Sequence, residues 1–96
     1  MEFNKPARIE TLARIAKLMG LEVTGQTDTA AADAAIQAVR ELRQRIGIPD
    51  RLREIGVRET QLNGFAQAAF GIKRMLRVNP RQATVQDLEG ILRSAY

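Results

Sequence analysis

Apolar residues recur along this chain at three- and four-residue steps, in stripes separated by glycine and proline. Ile9, Leu12, Ala13, Ala16 and Met19 share one face of a helix, because positions three and four apart are neighbours on its surface. Pro6 suits the first helical position, where its missing N–H would have no intrahelical partner anyway. Gly20 supplies the left-handed residue that commonly ends a helix. Residues 21–26, with Gly25 among them, read as a loop. Thr27 or Asp28 can accept hydrogen bonds from the first free N–H groups of the next helix. That helix is long and carries the stripe Ala32, Ala35, Ile36, Val39, Leu42 and Ile46, with Arg40, Glu41, Arg43, Gln44 and Arg45 facing largely outward. Gly47 stops it. Pro49 drives Ile48 toward an extended conformation, so the helix does not simply continue.

Residues 50–55 predict one short helical turn closed by Gly56, with Leu52 and Ile55 plugging the core. Leu62, Phe65, Ala66, Ala69, Phe70 and Leu76 predict a further helix over about 59–76. Gly64 and Gly71 lie inside it, each at a cost of roughly 1 kcal/mol relative to Ala. Close packing and tolerance on an exposed face both account for them. Asn79-Pro80-Arg81 breaks the chain. Thr84, with Asp87 three places on, resembles a capping box with Asp in place of Glu. It opens a last helix whose Val85, Leu88, Ile91, Leu92 and Ala95 face inward. No stretch alternates apolar and polar residues long enough to argue for a strand. The expectation is an all-α fold: a compact bundle of about four main helices plus one short helical turn, in a single domain over residues 1–96.

Composition narrows the chemistry. With 96 residues, of which 45% are hydrophobic, the chain can bury a modest core and offset its conformational entropy. Cysteine and histidine are both absent. Disulfides and thiolate chemistry are therefore excluded, a serine triad has no imidazole base, and the commonest metal ligand is missing. Asp28 and Asp33 are two carboxylates near the start of one helix, where acids more commonly offset the positive end of the helix dipole than hold a metal. The seven glycines are dispersed and form no phosphate-binding loop. No catalytic, cofactor-binding or metal-ligating residue is assigned.

The net charge is +4. Its densest segment is Lys73, Arg74, Arg77 and Arg81, which could meet a phosphate. No Tyr or Trp is interleaved there for base stacking, and the other arginines are scattered, so a solvated basic surface is expected rather than a nucleic-acid site. No apolar run approaches a membrane span and no N-terminal segment has signal-peptide order. A cytoplasmic protein with no membrane partner is expected.

Four segments, taken in order, point to a family. They are Met1-Glu2-Phe3-Asn4 with a helix after it; Arg45-Ile46-Gly47-Ile48-Pro49 with Leu52 and Gly56-Val57 following; the Ala-rich helix over 62–69; and Asn79-Pro80-Arg81 followed by Thr84 and the final helix. Together they resemble the C-terminal end of the iron-containing (group III) alcohol dehydrogenases over essentially all 96 residues. The resemblance implies a two-domain parent oxidoreductase. Its N-terminal α/β domain would bind NAD or NADP. Its helical C-terminal domain would bind a divalent metal, iron or zinc, through one Asp and three His, and that metal would polarise the alcohol or carbonyl oxygen. All of those ligands precede the part of the family chain that this sequence resembles, so this chain itself is expected to carry no cofactor. In many members the helix before Asn-Pro-Arg carries a polar or Cys-containing segment near the substrate pocket. Here it reads Lys73-Arg74-Met75-Leu76-Arg77-Val78, and no substrate-contacting role carries over. Gly47, Ile48 and Pro49, and Asn79, Pro80 and Arg81, are read as structural family motifs.

The expected function is that of a C-terminal helical fragment of a metal-dependent, NAD(P)-linked alcohol dehydrogenase, scaffolding the active-site domain and inactive alone. Its natural partner would be the remainder of the dehydrogenase, and exposed apolar helix faces would favour self-association. The alternative is a stand-alone basic helical module for nucleic acid or an acidic partner.

Overall fold

A computed structural model describes residues 1–96. It is helical, with no strand. The chain gathers into two compact units, Met1–Gly47 and Ile48–Tyr96, taken separately below. Four helices of ten residues or more match the four main helices expected, and a single turn of 3-10 helix at Leu52–Ile55 matches the short one.

In the first unit a 3-10 stretch, Glu2–Ala7, precedes helix α1, Ile9–Leu18. Pro6 therefore lies within the 3-10 stretch, three positions ahead of the first residue of the α-helix it was expected to open. Helix α2, Asp28–Arg45, packs along α1. The Thr27 hydroxyl accepts the Ala30 N–H at 3.2 Å and caps α2, while Asp28 occupies its first turn. The seam between the helices is built from small side chains. Ala13, Ala16, Ala31 and Ala35 form one buried cluster with Val23, and Leu12, Ala32 and Ile36 form another. Alanine lets two backbones approach closely, and Leu12 and Ile36 fill the wider part of the seam. Met19, placed on the stripe by periodicity, is instead an exposed C-terminal cap residue. Val23, read as loop, is buried in the core. Two ion pairs brace the 3-10 stretch against α2: Lys5 with Asp33, and Arg40 with Glu2 at 2.7 Å.

In the second unit, 3-10 turns at Leu52–Ile55 and Glu59–Gln61 lead into α3, Leu62–Gly71. Two helices follow: α4, Lys73–Arg77, and α5, Val85–Ser94. Leu62 and Ala66 are its fully buried core, where α3 meets α5. Leu52 is half-buried, but Ile55, expected to plug the core, is exposed. The predicted helix over 59–76 is broken at Ile72, whose ψ of 68° leaves the helical region. Glycine and β-branched isoleucine are adjacent weak helix formers at that point, so the chain can leave the helix there at little cost. Gly56 closes the first turn with φ at +85°, and Gly47 ends α2 with φ at +79°, both in the left-handed region that L side chains disfavour.

Candidate functional site

The two motif triplets each make a local turn. Gly47-Ile48-Pro49 leads from the end of α2 toward the Leu52–Ile55 turn, and Ile48 is exposed. Asn79 donates its backbone N–H to the Leu76 carbonyl at 3.1 Å, closing α4, and its side-chain amide donates to the Arg81 carbonyl. The Asn79 side chain thus bridges over Pro80, which has no N–H of its own to offer.

Sequence reasoning missed a polar network that joins α3 to α5. Asn63 donates to Glu89 at 2.9 Å and accepts from Gln67 at 2.8 Å. Arg93 holds Glu89 at 2.8 Å and Glu59 at 3.0 Å. The Asn63 hydrogen bond, then Arg93, keep the Glu89 carboxyl below its ordinary range. Only the four-residue spacings Asn63–Gln67 and Glu89–Arg93 were visible in the chain. Arg51, through its guanidinium, and Leu52, through its N–H, donate to the Ser94 and Ala95 carbonyls at 2.8 and 2.9 Å. They satisfy carbonyls that a helix C-terminus leaves without partners.

The basic segment is exposed at Lys73, Arg74, Arg77 and Arg81. No carboxylate occurs between Glu59 and Asp87. The Lys73 ammonium lies 3.4 Å from the centre of the Phe70 ring, a cation–π contact that turns this charge from the start of α4 back onto the end of α3. No group of three or more Asp or Glu side chains comes close enough to hold a metal ion. Asp33 is already paired with Lys5. The divalent metal implied by the resemblance therefore has no donor set among these residues, and no chemical step can be derived through it here.

What the surface does offer is apolar area. The stripe of α2 is buried only in its first half. Val39 is 37% exposed, Leu42 42% and Ile46 61%. Phe65, Ile72, Met75 and Val78 are exposed on the second unit. A folded chain of this size rarely leaves so many large apolar side chains in water unless something covers them.

The sequence model described as "Fe-containing alcohol dehydrogenase family, C-terminal" matches residues 1–96. The chain belongs to the iron-containing alcohol dehydrogenase family. This family chain is 40% identical over 93 residues to the NAD-dependent methanol dehydrogenase of Bacillus methanolicus, covering 97% of the chain and 24% of that enzyme. It is 35% identical over 96 residues to the lactaldehyde reductase of Escherichia coli K12, covering 100% of the chain and 25% of the relative. Among solved structures, a 1,3-propanediol oxidoreductase superposes with a TM-score of 0.94 at 38% identity, over 99% of the chain and 25% of that structure. The chain thus spans about a quarter of the length of the curated relatives it matches. No helix in it is long and apolar enough to cross a membrane.

Proposed function

We propose that residues 1–96 serve as the C-terminal helical portion of a metal-dependent, NAD(P)-linked alcohol dehydrogenase, scaffolding the domain that holds the metal and inactive in isolation. One observation supports this most: the family match runs the length of the chain, yet the chain covers only a quarter of each relative. The lack of a metal donor set fits the same division of labour, with the ligands and the nicotinamide site supplied by the other three quarters. The relatives' names include an NAD-dependent methanol dehydrogenase and an NADPH-dependent butanol dehydrogenase, so either nicotinamide suits the parent. The natural partner is the remainder of the dehydrogenase. Without it, the exposed apolar faces favour weak self-association.

The reading is tested with the purified chain. Iron and zinc should pass through equilibrium dialysis without stoichiometric retention, and no nicotinamide-linked alcohol oxidation should rise above the buffer rate. Turnover by these 96 residues would overturn it. The acid-free segment 60–86 is the one feature favouring a nucleic-acid module. Tight DNA or RNA retention that weakens steeply with added salt would favour that alternative.

A further inference from the structure

Asparagine followed by glycine occurs once in the chain, at Asn63-Gly64. Both residues are exposed in the first turn of α3. The pair is open to a spontaneous reaction. The Gly64 backbone nitrogen attacks the Asn63 carboxamide carbon and closes a five-membered succinimide, and the side-chain amide leaves as ammonia. Water then opens the ring at either carbonyl and leaves aspartate or isoaspartate at position 63. Glycine permits the attack because it has no Cβ to crowd the nitrogen and its backbone turns freely.

The fold opposes this step at two points. Ring closure requires Asn63 to leave the helical ψ of about −42°, which turns the nitrogen and the carboxamide carbon apart. The side chain must also swing away from both its partners. Its amide donates to Glu89 at 2.9 Å, and its carbonyl oxygen accepts from Gln67 at 2.8 Å. The neighbouring Leu62 is fully buried where α3 meets α5, so opening the first turn of α3 disturbs the core of this unit.

The product does not suit the place the amide held. A carboxylate has no N–H to give, so the hydrogen bond to Glu89 becomes a contact between two anions, which disfavours the ionised form of both. Arg93 already holds Glu89 at 2.8 Å and Glu59 at 3.0 Å, which leaves one guanidinium among three carboxylates. Isoaspartate further inserts a methylene into the main chain and disturbs the hydrogen-bond ladder of α3.

We propose that Asn63 is a deamidation site kept latent by the α3–α5 contact, and that its conversion during an opening of α3 weakens the same contact when the helix re-forms. An excursion to the open state is thereby recorded in covalent form, and the converted chain opens more readily than the original. The reaction needs only water and residues of this chain.

The chain is held in mildly alkaline buffer with and without unfolding concentrations of urea, and conversion at position 63 is followed by peptide mass. Conversion should be slower in the folded chain by on the order of tenfold or more, since only the open state reacts. Gly64→Ala should slow it in urea. Equal rates in the folded and unfolded chain overturn the latency. Asn63→Asp reports the consequence. Its urea midpoint should lie below that of the unsubstituted chain near neutral pH. The deficit should shrink as the pH falls into the carboxylate range, because the folded pair binds a proton more tightly than the unfolded chain does. In a Glu89→Gln background the same substitution should cost little. No deficit, or a deficit of one size at every pH and in both backgrounds, overturns the proposal. If Asn63→Asp alone leaves the chain unfolded, folding restored by Glu89→Gln supports the proposal and continued unfolding contradicts it.

Discussion

Asp87, at the third position of α5, accepts from the Thr84 N–H at 2.9 Å and from the Thr84 hydroxyl at 2.9 Å, while Thr84 accepts the Asp87 N–H at 3.1 Å. The backbone bond first, and the hydroxyl second, hold the Asp87 carboxyl below the usual aspartate range, helped by the charge of Arg81. The unfolded chain therefore binds that proton more readily than the folded one. The stabilisation is fully present above about pH 4 and is lost as the pH falls through the lowered folded value. Glu89 is shifted the same way by Asn63 and Arg93 and adds in the same sense. Asp87→Asn should flatten the acid limb of a urea-midpoint-against-pH curve, leaving its shape near neutrality unchanged. An acid limb as steep as that of the unsubstituted chain would show that the capping carboxylate is not linked to folding.

At the scale of elements, Gly64 lies within α3 and a Cβ added there would meet no atom within 4 Å. Its backbone is helical and its face is open, so close packing within this chain is not its reason. Gly64→Ala should stabilise the isolated chain by about 0.4–1 kcal/mol, chiefly by restricting the unfolded state. A thermal melt that moves down instead would reveal a contact at that face. Periodicity found α1, α2 and α5 closely, and the caps at Thr27 and Thr84, because each rests on local chemistry that the chain spells out. It failed where length and neighbours decide. The stripe of α2 is uniform in sequence from Ala32 to Ile46, yet Ala32, Ala35 and Ile36 are buried while Val39, Leu42 and Ile46 are exposed. The helix over 59–76 is periodic throughout, yet it breaks at Ile72 because Gly71 and Ile72 hold it weakly. The network of Asn63, Glu89, Arg93 and Glu59 was invisible because it depends on which faces of α3 and α5 meet.

For the whole molecule, what the chain lacks and what it exposes point the same way. It has no histidine or cysteine and brings no carboxylate set together, while Val39, Leu42, Ile46, Ile72, Met75 and Val78 sit in water. The family was legible in advance because it rests on the order of four segments spread along the entire sequence. The exposed half of the α2 stripe was not legible, since a sequence shows which residues are apolar but not which of them stay in water. The central claim is that this chain completes a dehydrogenase it cannot perform as by itself. The most direct measurement is nicotinamide-linked lactaldehyde reduction by E. coli lactaldehyde reductase lacking its matched quarter, assayed with and without the 96-residue chain co-expressed. The account predicts turnover only when both polypeptides are present. Equal rates with and without the chain, or turnover by the chain alone, would contradict it.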